Sequence, residues 1–339
     1  MKKNEKYKVA LLINKEMASR VIPKEEIAFL ETWANFQDPQ ELPDIMTVDY
    51  MKERIKDADA CITCWGTPCL EEQVLAEAPG LKLIAHAAGS VRPIVSNTVW
   101  ERNIRVTSSA PIIATDVAET TLGLILVSLK RIWQHTTLTK SGQWYVKEEV
   151  NQMKRLRGLT VGVIGASHCG RNVINLLKPF GVSILLYDPL VMEKQAKELG
   201  TTKVTLECLM SESDVVTLHA PNLPENQQMI NKDNLSLLKD GAVFINTARG
   251  ALVDEEALIS QLKTGRIFAC IDVTDPEPPA SDNLLRQMEN VILTPHIAGG
   301  HTVNGRYEQG RFIIHQVHKL LTEDLLDYEV TKEMLEFIA

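Results

Sequence analysis

The stretch from Thr160 to Asp188 constrains this chain more than any other. Thr160–Ile164 is a short apolar run rich in β-branched residues, the composition of a buried strand. Gly165-Ala-Ser-His-Cys-Gly170 follows at once, and from Arg171 to Pro179 the apolar residues Val173, Ile174 and Leu177 fall at helical spacing. A second apolar run, Ser183–Tyr187, ends in Asp188. Strand, glycine-bearing turn, helix, strand and acid in that order form a dinucleotide-binding βαβ unit. Gly165 permits the tight turn, the helix N-terminus offers N–H groups to a pyrophosphate, and Gly170 lets helix and sheet pack closely. Asp188 stands where a carboxylate accepts hydrogen bonds from the adenosine ribose. It repels a 2′-phosphate, and no Lys or Arg follows before Lys194, so NAD is expected rather than NADP. Ser167 occupies the place of the middle glycine, and its hydroxyl is expected to bond a phosphate oxygen. The rival motif, the G-x-S-x-G nucleophile elbow, fails because the glycine comes third after Ser167, not second.

A chain of 339 residues exceeds one comfortable core, so two domains are expected. A net charge of −8 without a basic stripe argues against a nucleic-acid partner. The charged start, Met1-Lys-Lys-Asn-Glu-Lys, leads into only a short apolar run, Val9–Ile13, too brief for a signal-peptide core. The longest apolar region, Thr121–Leu129, is about half a membrane span. No membrane partner is expected, and the protein reads as soluble and cytoplasmic. Cys61, Cys64 and Cys69 have the look of a cluster, but no second C-x-x-C or close histidine pair completes a tetrahedral site. They read as buried thiols, Cys169, Cys208 and Cys270 as core, and no metal is expected.

Before the cofactor unit, apolar runs at Tyr7–Ile13, Ala58–Thr63, Leu81–Ala85 and Ile104–Thr107 alternate with helical patterns at Pro23–Trp33, Asp49–Lys56, Glu71–Glu77 and Asn97–Glu101. This alternation predicts an α/β fold with a parallel sheet. The loop Ala87-Ala-Gly-Ser-Val-Arg92 then lies at the carboxyl edge of that sheet. There Gly89, Ser90 and Val91 offer backbone N–H groups to an anion and Arg92 adds charge. Thr115-Asp116 is expected to cap a long helix reaching about His135. It is apolar around nearly its whole circumference between Leu122 and Leu129, so burial on more than one side is expected. Residues Leu138–Arg157, with Trp144 and Tyr145, read as an arm that lies on a partner. After Thr160 strands are expected at 160–164, 183–187, 214–218, 242–246, 267–271 and 291–293, and a last helix over roughly 303–321.

Three of these later strands end in residues that suit one reaction. Ala242–Asn246 leads into Thr247-Ala-Arg249-Gly250, Ile267–Asp272 into Val273-Thr-Asp-Pro-Glu277-Pro278, and Val291–His296 into Ile297-Ala-Gly-Gly300. Arg249 suits bidentate binding of a carboxylate and polarisation of a neighbouring carbonyl. His296 suits proton donation to the carbonyl oxygen as hydride reaches its carbon, and Glu277 nearby would favour imidazolium and orient the ring.

With these residues in view, the chain resembles the D-isomer-specific 2-hydroxyacid dehydrogenases over nearly its full length. The matching segments are Asp116-Val-Ala-Glu119, the 160–170 turn, Leu218-His-Ala-Pro221, Asn246-Thr-Ala-Arg-Gly250 with Asp254-Glu-Glu256, Asp272–Pro278 and Thr294-Pro-His-Ile-Ala298. The resemblance implies two doubly wound parallel-sheet domains: a Rossmann NAD domain over 109–298, and a flavodoxin-like discontinuous catalytic domain from 1–108 and 299–339. It places the catalytic roles on Arg249, Glu277 and His296. Cofactor contacts fall on Gly165, Ser167, His168, Cys169, Gly170, Asp188, Pro189, His219, Ala220, Pro221, Thr247, Ala248, Arg249, Asp272, His296 and Gly299. It assigns the substrate carboxylate to Gly89, Ser90 and Val91 with Arg249 and His296. The implied activity is interconversion of a small 2-keto acid and its D-2-hydroxy acid with NAD, by a homodimer built around the long helix and arm. A corepressor-type NAD(H) sensor is the alternative outside enzymes; a phosphoglycerate or phosphonate dehydrogenase is the alternative within them. Formate dehydrogenase is disfavoured, since glutamine is expected in that branch where Glu277 stands. Ser167, His168 and Thr274 depart from the family's usual glycine, arginine and phenylalanine.

Overall fold

A computed structural model describes residues 6–338; the charged start, Met1 to Glu5, and Ala339 lie outside the described residues. The chain divides into two compact units, one from the chain up to Ile113 together with Gly300–Phe337, the other from Ala114–Gly299. The first holds a five-stranded sheet of β1 (Tyr7–Leu12), β2 (Ala34–Asn35), β3 (Ala60–Thr63), β4 (Leu83–His86) and β5 (Arg105–Ser108). Its order is β2-β1-β3-β4-β5, all parallel. The second holds β6 (Thr160–Ile164), β7 (Ser183–Tyr187), β8 (Thr202–Lys203), β9 (Val215–Leu218), β10 (Val243–Asn246), β11 (Phe268–Ile271) and β12 (Val291–Leu293). These run β12-β11-β10-β9-β6-β7-β8, again parallel throughout. Both sheets are doubly wound: each chain starts in the interior, winds outward one way and returns to wind the other. In the second unit the direction switches between β6 and β9, where open α/β sheets place ligands.

The strands read as continuous apolar runs because helices cover both faces of a parallel sheet. Phe244, Val216, Ile271 and Leu258 fill one side of the second sheet, and Val163, Ile174, Ile245 and Ile125 fill the other. In the first unit the helix Val303–Glu323 returns to pack Ile313, Ile314, Val317 and Leu320 against Val9, Leu11, Ile62 and Leu83. A Cβ at Gly310 of that helix would stand 1.5 Å from the Val21 carbonyl oxygen, so only glycine permits the approach. The C-terminal segment covers the β5 edge. Val330 bridges Val106 antiparallel, and Arg105 clasps Glu329 through Nε (2.8 Å) and Nη2 (2.6 Å).

Several expectations need correction. The long helix runs over Ala110–Leu129, so Thr115 and Asp116 sit inside it rather than at its cap; Pro111 occupies its first turn, where a missing N–H does no harm. It ends before Arg131, whose φ of 49° breaks the path, and a separate helix spans Ile132–Lys140. Its apolar surface is long and hydrophobic enough to span a membrane, yet Ala118, Ile125 and Leu129 are packed into the second unit's core. Within this chain Leu122, Leu124, Leu126 and Val127 are partly covered, packed at the margin of that core. Cys208 is exposed, because Leu209 and Met210 take the core side of its short helix. Cys61 and Cys64 are buried, and among the described residues no group of His, Cys, Asp and Glu is placed to hold a metal.

Each unit seals in one histidine. His86 is 3% exposed with Nδ1 2.9 Å from Thr63 Oγ1; His219 is 3% exposed with Nε2 2.9 Å from Thr217 Oγ1. Burial pushes the pKa of each down to about 4 from an ordinary 6.5. The folded value lies below the unfolded one, so the unfolded chain binds more protons between about pH 6.5 and 4. Stability therefore falls as pH drops through that window and levels off below it. His219→Asn should show a shallower loss of melting temperature between these pH values than the parent. Identical slopes would show that His219 folds without its burial penalty.

Candidate active site

The second sheet's neighbouring strands β10, β11 and β12 end side by side, about 4.8 Å apart in the hydrogen-bonding direction. Each end is folded into a specific turn. After β10, Asn246 clamps the chain: its Oδ1 accepts from Ala248 N–H (3.0 Å) and its Nδ2 donates to the Arg249 carbonyl (2.9 Å). Arg249, half-buried, donates from Nη1 to the Ala248 carbonyl at 2.6 Å. Gly250 then passes so close to the next loop that a Cβ would stand 2.1 Å from the Thr274 carbonyl carbon. This contact joins the Arg249 turn to the segment that carries Glu277.

After β11, Asp272 is 1% exposed and faces the loop beyond β12. Its Oδ1 accepts from Thr294 Oγ1 (2.6 Å) and Ile297 N–H (2.9 Å), and its Oδ2 from Ala298 N–H (2.9 Å). The Asp272 carbonyl accepts from His296 N–H at 2.8 Å. His296 is held at a left-handed φ of 53°, a conformation uncommon for a residue with a β-carbon. Its Nδ1 stands 2.8 Å from Glu277 Oε1, both side chains being part-exposed. With Nδ1 given to the carboxylate, Nε2 is left for proton exchange with a reacting oxygen. The helix Ala110–Leu129 secures the same edge, since Thr121 Oγ1 meets Thr247 Oγ1 (3.1 Å) and Thr120 Oγ1 donates to the Ala298 carbonyl (2.9 Å).

The turn after β6 suits a dinucleotide. Gly165 has φ 92°, and a Cβ there would lie 2.8 Å from the Ala220 nitrogen and the His219 carbonyl. A Cβ on Gly170 would lie 2.0 Å from the Gly165 oxygen, so the helix His168–Leu177 starts hard against the turn, its first amides pointing out of it. Asp188 Oδ2 accepts from Ala166 N–H (2.7 Å) and Oδ1 from Leu190 (2.8 Å) and Val191 (3.2 Å), which sets the carboxylate at the end of β7 and leaves it acceptor capacity for ribose hydroxyls. His219 Nδ1 is buried beside this turn with no partner among the described residues. The residues fit NAD. One expectation changes: Ser167 Oγ donates to the His219 carbonyl at 3.0 Å, so its proton is not aimed at a phosphate. His168 opens the helix, its pKa lowered by burial and then by the Arg171 charge. Pro189 lies exposed beyond Asp188, and Pro221 accepts from Asn226 Nδ2.

In the first unit, Gly89, Ser90 and Val91 follow β4 at the carboxyl edge, and the sequence placed them there. Arg92, next in the chain, donates from Nη2 to the Leu335 carbonyl. The roles of Asp272 and Asn246 as clamps were missed. Their strand-end position was a signal, but the partners lie a strand away.

Residues 122–298 match the family model described as "D-isomer specific 2-hydroxyacid dehydrogenase, NAD binding domain". A D-3-phosphoglycerate dehydrogenase of Methanocaldococcus jannaschii is 34% identical over 83% of this chain, which spans about half that relative's length, 53%. A hydroxypyruvate reductase of Thermotoga maritima is 30% identical over 91% of this chain and 96% of its own. The solved structure of a D-2-hydroxyisocaproate dehydrogenase superposes with a TM-score of 0.76 at 26% identity, covering 96% of this chain and 99% of the other. With the glycine turn, Asp188 and the three strand ends in place, this chain belongs to the D-isomer-specific 2-hydroxyacid dehydrogenase family and carries its NAD-binding domain.

Proposed function

We propose that the chain is an NAD-dependent oxidoreductase interconverting a small 2-keto acid and its D-2-hydroxy acid. The observation that carries this reading is the His296–Glu277 pair, carried by the ends of β12 and β11 on the same sheet edge as Arg249 after β10. NAD, when bound, supplies the hydride carrier. Gly165, His168, Cys169, Gly170, Asp188 and the loops at Pro189, His219–Pro221, Thr247–Ala248, Asp272 and Gly299 are read as its contacts. Arg249 binds the substrate's carboxylate and draws electron density from its carbonyl. His296 gives the carbonyl oxygen a proton from Nε2 during reduction and takes it back during oxidation. Glu277 holds the imidazole in the orientation and charge state that this needs. The amides of Gly89, Ser90 and Val91 are read as carboxylate donors. Relatives named glyoxylate reductase and hydroxypyruvate reductase favour a small substrate, and give the corepressor alternative no support. His296→Ala should lower kcat about 10²–10⁴-fold on the best of glyoxylate, hydroxypyruvate, pyruvate and 3-phosphohydroxypyruvate. A rate equal to the parent's would remove His296 from the chemistry.

The reading extends to a cytoplasmic homodimer. Its support is the half-covered face of Leu122 and Leu126, continued by Ile132 (50% exposed), Trp133 (56%), Trp144 (88%) and Tyr145 (68%). Large exposed apolar side chains such as these are the kind of surface a subunit interface covers. Light scattering should give twice 37.9 kDa, and a mass of 37.9 kDa at micromolar concentration would refute the dimer.

A further inference from the structure

The crevice between the neighbouring strands β6 and β9 is stitched through one residue, His219. As the first residue after β9, it donates its N–H to the Ile164 carbonyl at the end of β6 (2.7 Å). Its own carbonyl accepts from Ser167 Oγ at 3.0 Å. Between these two bonds the segments nearly touch: a Cβ on Gly165 would stand 2.8 Å from the His219 carbonyl and the Ala220 nitrogen. The His219 side chain lies against the helix start, its Cβ 3.5 Å from where a Cβ on Gly170 would stand.

Ser167 stands at the N-cap of the helix His168–Leu177, with φ −62° and ψ −178°, and its side chain makes no cap bond. A serine at an N-cap ordinarily accepts from the second or third amide of its helix, here Cys169 or Gly170. In the same unit Thr205 accepts from Cys208 N–H and Asp254 from Ala257 N–H in that way. Amides of a first turn have no acceptor inside their helix, and they are the donors that a helix start offers to a phosphate. A capping hydroxyl would occupy one of them. The Ser167 hydroxyl is instead drawn across the crevice to the β9 side, where its proton is committed to the His219 carbonyl. A glycine at 167, the residue a dinucleotide turn ordinarily carries there, would leave more room but supply no donor to that carbonyl.

We propose that Ser167 is a positioning residue for the dinucleotide: its bond to the His219 carbonyl ties the two lips of the β6–β9 crevice together and keeps the hydroxyl off the Cys169 and Gly170 amides, which then receive the pyrophosphate. This rests on reading the Gly165–Gly170 turn as the pyrophosphate contact. The serine then favours cofactor binding, rather than merely taking a glycine's place at a loss of room. The two accounts predict opposite signs when the side chain is removed. Loss of the latch loosens the crevice and weakens NADH binding, whereas relief of crowding tightens it. A purely structural bond would lower the melting temperature and leave the affinity where it is.

The test is titration of the full chain with NADH, followed by NADH fluorescence, with melting temperatures of the unliganded proteins recorded alongside. Ser167→Ala and Ser167→Gly should each raise the Kd for NADH about threefold or more, with unliganded melting temperatures within about 3 °C of the parent's. The Kd for ADP-ribose, which keeps the pyrophosphate and lacks the nicotinamide, should rise by the same factor. Turnover of hydroxypyruvate should show a raised KM for NADH and a kcat no lower than the parent's. A Ser167→Gly protein that binds NADH as tightly as the parent, or more tightly, overturns the proposal. So does a lowered melting temperature with an unchanged Kd in either variant. In both cases NADH still binds the parent, so only the assignment of Ser167 fails. A parent that binds neither NADH nor ADP-ribose would remove the pyrophosphate reading of the turn, and the proposal with it.

Discussion

The buried carboxylate of Asp272 is the interaction on which the rest of the candidate site depends. One side chain takes three donors from the 294–298 segment, and its own carbonyl takes a fourth from His296. Charge-assisted hydrogen bonds of this kind are roughly twice as strong as neutral ones. Together they offset the strain of a left-handed histidine and aim its ring at Glu277. The clasp acts with the Thr294 N–H bond to the Ile271 carbonyl and the Thr120 bond to the Ala298 carbonyl, which hold the same loop over the end of β11.

The same logic of close approach recurs at the glycines. Gly165, Gly170 and Gly250 each stand where an added methyl would meet backbone at 2.8 Å or less. The first two bring the N-terminus of the helix His168–Leu177 hard against the turn after β6, and the third brings the Arg249 turn against the loop of Glu277. On the proposed reading, a chain with net charge −8 binds its anions by local means, through amides at turn and helix ends and single guanidinium groups, rather than by overall charge.

Most of the architecture was legible in the sequence because parallel strands covered on both faces leave unbroken apolar runs, as at Val243–Asn246 and Phe268–Ile271. The two-residue edge strands β2 and β8 were not, since a pair of residues carries no period. Nor was the break at Arg131, where a non-glycine residue takes a positive φ. Arg249, Glu277 and His296 were legible as candidates because each follows a strand, where α/β sheets put their chemistry. The fates of Ser167 and Arg92 were not. A hydroxyl chooses between a phosphate and the His219 carbonyl, and a guanidinium between solvent and the Leu335 carbonyl, according to distances that only the folded chain sets.

The most direct measurement is single-turnover reduction of glyoxylate by enzyme preloaded with NADH, comparing the parent with Asp272→Asn. The amide keeps the size of the side chain but leaves one oxygen to accept where two did, so at least one donor of the His296 loop loses its partner. The expected result is a chemical step slowed about tenfold or more, with NADH still bound and both proteins melting cooperatively. Equal single-turnover rates would contradict the claim that the Asp272 clasp holds the catalytic acid in place.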